Sequence, residues 1–240
     1  MGRLSAPAER RAAPKPAGVP SGDRPMYSSG EGLRIGIFGG SFDPVHNAHV
    51  ALARHALAEL RLDELLWVPA GQTWQKQRQL TPAVHREAML RLAIADEPRF
   101  VLSTIETTRS GPSYTLDTVR TLQAARPGVQ WFLIIGQDQY AGLHTWHDWQ
   151  ALLGLVTLAI ADRPDAAATV DPQVARAAFE AVMLPKMDVS STDIRARLNG
   201  GRSISDLVPA PVARYIAQHR LYQDHQDQLG DPTRELNGHS

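Results

Sequence analysis

RIGIFGGSFDPVHNAH, running from Arg34 to His49, joins two periodicities. Arg34–Phe38 is a short, β-branched, apolar run that stops at Gly39 and Gly40, the pattern of a buried strand. Beyond it, Val50, Leu52, Ala53, Ala56, Leu57 and Leu60 fall at helical spacing over Asn47–Leu60. Between the two lie the glycines, Ser41, Phe42, Asp43 and Pro44. Glycine lets a backbone approach a ligand closely, and Pro44 suits the start of a helix that opens near His46. His46 and His49 are three apart, so they share a face of the first turn. The N–H groups and partial positive charge of a helix start favour an anion, and two imidazoles can add donors to phosphate oxygens. The segment is neither a G-x-G-x-x-G fingerprint nor a P-loop, because no Gly-Lys-Ser/Thr follows. Taken alone, it also fits an ordinary strand–turn–helix with two incidental histidines.

Outward from this unit, strands and helices alternate. Glu64–Val68, Phe100–Ser103, Trp131–Ile135, Leu155–Ala161 and Val182–Leu184 read as strands. Pro82–Ala95, Ser113–Ala125, Pro172–Ala181, Thr192–Asn199 and Val212–His219 read as helices. The alternation predicts an α/β fold in a single domain: a doubly wound parallel sheet with right-handed crossovers and helices on both faces. Ligands of such sheets sit beyond the carboxyl ends of the strands, at the switch in strand order. Residues that follow strands are therefore the candidates for function.

Composition narrows the function classes. The 240 residues carry 25 Lys+Arg against 25 Asp+Glu and are 43% hydrophobic. A core of ordinary size can be buried. Balanced charge gives no electrostatic case for nucleic acid or an anionic membrane as a partner, and no apolar run approaches the ~18 residues of a membrane span. Cysteine is absent, which excludes disulfides, thiolate zinc sites and a cysteine nucleophile; a reducing, cytoplasmic setting is the expectation. Residues 1–32 are rich in Ala, Pro, Arg, Gly and Ser and nearly lack bulky apolar side chains. They cannot offset their chain entropy and are expected to form a disordered tail. A transit peptide is the rival, weakened by prolines that break an amphipathic helix, and Met26 is a second candidate start. The domain is expected over 33–223, with a flexible polar tail over 224–240. A homo-oligomer stays open.

Val189, Ser190, Ser191 and Thr192 precede a helix that carries Arg195. Serine and threonine are favoured caps. Their hydroxyls and the first-turn N–H groups suit phosphate, and a guanidinium offers a planar fork for two of its oxygens. A capped helix with a solvated arginine is the plainer alternative.

Together the two segments resemble the phosphate motifs of the nucleotidylyltransferase superfamily. GGSFDPVHNAH is similar to the (H/T)xGH motif within G-G-T/S-F-D-P-x-H-x-x-H, with Ala48 in place of glycine, and SSTDIR is similar to S-S-T-x-x-R. Between them, RSGPSYTLDT (Arg109 to Thr118) resembles the R-x-G-x-S-Y-T-x-D-T segment of nicotinate-nucleotide adenylyltransferases. Gly136 to Asp138 resembles their G-x-D after the fourth strand, LHTWHDW (Leu143 to Trp149) their L-x-x-W-x-x-W/I run, and Leu221 and Tyr222 their ending after the final helix. The likeness spans Arg34 to Tyr222. It breaks where the family has a P-P-H-K-like stretch and this chain has PAGQTWQK, Pro69 to Lys76.

The resemblance implies a Rossmann-like nucleotidylyltransferase fold and transfer of AMP from ATP to nicotinate mononucleotide, giving nicotinate adenine dinucleotide and pyrophosphate. Mg²⁺ would be carried mainly by the ATP phosphates, without a dedicated protein cage. The catalytic residues it implies are His46, His49, Arg195 and Lys76. ATP contacts would come from Gly39, Gly40, Ser41, Phe42, Gly136, Asp138, Ser190, Ser191 and Thr192. Acceptor contacts would come from Asp43, Thr115, Trp146 and His147. In that scheme Trp146 stacks on the pyridine ring, while Thr115 and the backbone near His147 receive its carboxylate. An indole face suits a flat cationic ring, and oriented N–H groups select an acid over an amide. On spacing alone, Trp146 and Trp149 also fit a core pair, Thr115 a helix-start hydroxyl, Asp138 an N-cap and Lys76 an exposed loop lysine. Trp74 is a candidate to close over substrate. Nicotinamide mononucleotide and pantetheine phosphate are the alternative acceptors, and a non-catalytic nucleotide sensor is the alternative of another class.

Overall fold

The computed structural model describes residues 32–71, 79–162, 170–183, 187 and 189–223. The chain divides after Glu31. The expected tails, 1–32 save its last residue and 224–240, lie outside the described residues, as do Trp74 and Lys76. The strands are β1 Arg34–Gly40, β2 Glu64–Pro69, β3 Phe100–Leu102, β4 Gln130–Gly136, β5 Thr157–Asp162 and β6 Phe179–Met183. The helices are α1 Asn47–Glu59, α2 Ala83–Ile94, α3 Thr115–Ala125, α4 Gln137–Ala141, α5 Trp149–Leu153, α6 Ser191–Asn199 and α7 Ala210–Gln218.

One sheet holds six strands in the order β3-β2-β1-β4-β5-β6, and each neighbouring pair runs parallel. The order reverses between β1 and β4, so the carboxyl ends of those two strands flank the crevice where such sheets take ligands. Alternate side chains along each strand feed opposite faces. Phe38, Leu65, Trp67, Phe132 and Ile134 pack with Leu52, Met89, Ile194 and Val212 on one side. Ile35, Ile37, Leu66, Leu133 and Ile135 pack with Leu116, Val119, Leu143 and Leu152 on the other. The parallel strands are buried on both faces, which is why they read as continuous apolar runs.

The expected helix over Pro172–Ala181 does not form. A single 3-10 turn, Val174–Arg176, gives way to β6 at Phe179. The Ala-rich sequence is a good helix former, but the backbone of Phe179–Met183 completes a ladder with Leu158–Asp162. Only Val182 of that strand is buried, as suits an edge strand. Tertiary pairing overrides local propensity here. Pro44 does not begin a helix either. It follows a cis Asp43–Pro44 bond, and α1 starts at Asn47 with His46 as its cap residue.

The ends of α1 and α7 share a device. Arg61 and Arg220 take left-handed backbone angles, φ 48° and 49°. Leu62 N–H reaches back to Leu57 O at 3.0 Å, and Leu221 N–H to Ile216 O at 3.1 Å, the bonds of a Schellman turn. The turn after α7 aims Tyr222 back towards the β1–α1 loop. No helix among the described residues is long and apolar enough to cross a membrane.

Candidate active site

A cleft opens beyond the carboxyl ends of β1, β2 and β4. Gly39, Gly40 and Ser41 form its edge on β1, Ala70 and Gly71 on β2, and Ile37, Leu133 and Ile135 its floor. Ser113, Tyr114, Thr115 and Thr118 enter from the start of α3, while Trp146 and His147 close the far wall with Gln139. A Cβ built on Gly39 would meet no protein atom within 4 Å, whereas one on Gly40 would lie 2.9 Å from the Phe42 ring. The Gly40 requirement is thus internal packing. Gly39 leaves open space at the mouth of the cleft, where a ligand can approach the backbone.

The two histidines sit at the opening of α1, on the loop that leaves β1. Their rings stack with centroids 3.6 Å apart at 22°. His46 N–H donates to His49 Nδ1 at 3.2 Å. That bond needs a lone pair on Nδ1, so the neutral ring carries its proton on Nε2 and can donate from there. The His49 ring also stands edge-on to Phe42, with centroids 5.1 Å apart. His46 is only 6% exposed and Ala48 4%. The methyl that Ala48 adds to the family pattern therefore occupies protein space rather than the mouth of the cleft.

The second phosphate motif docks on the first. Ser191 Oγ donates to Pro44 O at 2.9 Å, and Arg195 Nη1 donates to Asp43 O at 2.7 Å. Arg195 Nη2 is 3.2 Å from Thr192 Oγ1, and Ser190 caps α6 by accepting from Asp193 N–H at 3.1 Å. Arg195, on α6, therefore meets the loop that leads into α1, whose opening carries the two imidazoles. Gly136 caps α4 and Asp138 lies exposed in its first turn, so Asp138 is not the N-cap itself. Phe42 is 1% exposed as a whole residue, its ring packed against Phe38 and His49.

Asp43, expected as an acceptor contact, is 0% exposed here, and its carboxylate faces protein groups. Its Oδ1 accepts from Tyr222 Oη–H at 2.7 Å and its Oδ2 from Thr81 N–H at 3.3 Å. It is a joint inside the protein. The pair Trp146 and Trp149 does not share a helix: Trp146 has extended backbone after the 3-10 turn Leu143–Thr145, and Trp149 begins α5. Thr115 is the first residue of α3.

Glu106 and Arg86 carried no motif signal. Glu106 lines the cleft and accepts from Thr118 Oγ1 at 2.9 Å and from Gly71 N–H. Burial raises its pKa above the ordinary glutamate value, opposed by those hydrogen bonds and by Arg109. Tyr114, within the RSGPSYTLDT segment, lies against His147 with ring centroids 4.5 Å apart and tilted by 34°. Arg86, 3% exposed, donates to Thr81 O at 2.8 Å and Ser41 O at 3.0 Å. Burial lowers its pKa, while the nearby Asp43 acts in the opposite sense. Only a sequence separation no periodicity reports, such as 45 residues from Arg86 to Ser41, brings these groups together.

The cytidylyltransferase-like family is matched over residues 37–197. A protein of Albidiferax ferrireducens named "Probable nicotinate-nucleotide adenylyltransferase" is 50% identical over 194 residues, 79% of this chain and 98% of its own length. One of the same name from Methylibium petroleiphilum is 50% identical over 196 residues, covering 79% and 92%. The chain belongs to the nicotinate-nucleotide adenylyltransferase family. Among solved structures, the fold is shared with Plasmodium falciparum nicotinic acid mononucleotide adenylyltransferase complexed with NaAD, at a TM-score of 0.66 and 22% identity over 79% of this chain and 97% of that one. The two segments that resemble the superfamily's phosphate motifs are held together here at the Asp43 and Pro44 carbonyls.

Proposed function

We propose that this chain transfers AMP from ATP to nicotinate mononucleotide. A phosphate oxygen of the mononucleotide attacks the α-phosphorus of ATP in line, the bond to the β-phosphate bridging oxygen breaks, and pyrophosphate leaves. A phosphate monoester is already an anion at neutral pH, so no protein nucleophile is needed. The work left to the protein is positioning and charge stabilisation. The observation that carries this reading is the contact of Arg195 with the Asp43 carbonyl, which brings a permanent cation to the loop bearing His46 and His49.

In this reading, His49 donates from Nε2 to the reacting phosphate, with His46 beside it, and Arg195 offsets charge on the leaving pyrophosphate. Lys76, outside the described residues, would add a second cation. Backbone N–H groups of Gly39, Gly40, Ser41, Phe42, Ser191 and Thr192, the hydroxyl of Ser190, and Gly136 and Asp138 at α4 hold the nucleotide. Asp138 is suited to ribose hydroxyls. The cleft of Thr115, Trp146 and His147 takes the pyridine ring: indole on its face, Thr115 at its carboxylate. Among the described residues no three His, Asp or Glu side chains are grouped to hold a metal, and the Asp43 carboxylate is committed to Tyr222 and Thr81. Mg²⁺ would therefore enter on the ATP phosphates and keep much of its water.

The experiment is pyrophosphate release with ATP and Mg²⁺ against three acceptors: nicotinate mononucleotide, nicotinamide mononucleotide and pantetheine phosphate. Fastest turnover with the first supports the proposal. Preference for either other acceptor replaces it, and ATP binding without turnover on any of them points to a nucleotide sensor.

A further inference from the structure

Burying a carboxylate is costly unless charge and hydrogen bonds compensate it, and Asp43 is buried completely. Its compensation comes from two distant parts of the chain, the C-terminal end and the Thr81–Arg86 stretch. Tyr222 donates to Oδ1 at 2.7 Å and Thr81 N–H to Oδ2 at 3.3 Å. The buried guanidinium of Arg86 lies near enough to feel its charge, while bonding the Ser41 and Thr81 carbonyls. The Asp43 carbonyl then accepts from Arg195. One residue thus has its side chain held from the C-terminal end and its main chain holding the phosphate-motif arginine.

Tyr222 is built to stay there. Its φ is 63°, Leu221 before it packs against the core, and the Schellman turn fixes the direction of both. Burial, and then the Asp43 charge, push the phenol pKa far above its usual value, so the hydroxyl remains a donor throughout the working pH range.

We infer that Tyr222 is a positioning residue for adenylyl transfer: its hydroxyl, through the Asp43 carboxylate, fixes the carbonyl that aims Arg195 and the turn that delivers His46 and His49. The inference rests on the activity proposed above. It separates Tyr222 from the acceptor cleft, whose walls are α3 and the Trp146 segment.

The test is Tyr222→Phe, which removes one oxygen and keeps the ring. Wild-type turnover with nicotinate mononucleotide is measured first, and its absence sinks the proposed activity rather than this inference. With wild type active, Tyr222→Phe is expected to lose about 10- to 100-fold in kcat, the scale of a displaced catalytic group. KM for nicotinate mononucleotide should stay within about twofold. A merely stabilising hydroxyl would instead lower Tm and leave kcat intact well below Tm. In a double-mutant cycle, Arg195→Lys should cost less in the Tyr222→Phe background than in wild type. A kcat within about twofold of wild type, or effects of the two substitutions that simply multiply, overturns the inference. Should Tyr222→Phe fail to fold, Asp43→Leu serves instead: a side chain of similar size that offers the Tyr222 hydroxyl no acceptor. The same fall in kcat at constant acceptor KM is expected, and an unchanged kcat rejects the inference.

Discussion

The main-chain N–H of His46 donates to Nδ1 of His49 at 3.2 Å, so one histidine sets the tautomer of the other. Two substitutions divide the two ring nitrogens. In His49→Asn the side-chain oxygen can replace Nδ1 as acceptor while the outer donor is lost. In His49→Gln the terminal amide can replace Nε2–H as donor. If Nε2 serves the reacting phosphate, the asparagine variant should lose about 100-fold or more in kcat, the scale of one transition-state donor. The glutamine variant should retain more activity. Single-turnover pyrophosphate release compares them directly.

Three glycines should respond differently to one added methyl. At Gly39 the methyl meets no protein atom, so Gly39→Ala should keep its Tm while KM for ATP rises. At Gly40 it meets the buried Phe42 ring at 2.9 Å, an overpacking expected to cost about 1–3 kcal/mol. At Gly71 it meets the Glu106 carbonyl oxygen at 2.3 Å. Backbone cannot swing aside as a side-chain tip does, so Gly71→Ala should be the least stable of the three. Thermal melts rank them.

Trp146 and Thr115 line the cleft, and neither His46 nor His49 is part of its lining. Trp146→Ala should raise KM for nicotinate mononucleotide by about 5- to 30-fold, which corresponds to a loss of about 1–2 kcal/mol of cation–π and stacking contact. KM for ATP should hold. Trp146→Phe should fall between, and Thr115→Val should lower the preference for acid over amide.

Glu106 gives a pH signature. Burial raises its folded-state pKa above 4.5, so between 4.5 and the raised value the folded chain holds a proton that the unfolded chain has released. By linkage, stability from this group is greatest below that window and declines as pH climbs through it. Glu106→Gln removes the titration. Its urea midpoint should vary less with pH between the ordinary glutamate value and neutrality than that of wild type.

Much of this was legible because it is local. Arg34–Phe38, Glu64–Val68 and Trp131–Ile135 are buried on both faces and announce themselves as apolar runs. The two phosphate motifs follow their strand or open their helix, as the chemistry of helix starts requires. Illegible features depended on what crosses from elsewhere. Phe179–Ala181 has helical composition and joins the expected strand residues Val182 and Met183 because β5 offers unpaired backbone. Asp43 stands between a glycine turn and two histidines, which is where a substrate carboxylate contact belongs. Only the arrival of Tyr222, 179 residues later, shows that it faces inward. Glu106 and Arg86 have no motif because their partners lie in other loops.

Synthesis runs from the N-terminus, and three groups that hold Asp43 come after it: the Thr81 N–H on its carboxylate, then Arg195 on its carbonyl, then the Tyr222 hydroxyl on its carboxylate. A nascent chain that has exposed both histidines still lacks the last two grips on their loop. The full set of contacts on this loop therefore forms late in translation, once the residues beyond the final helix clear the ribosome, and a polypeptide stalled shortly before that point would carry the whole sheet without them.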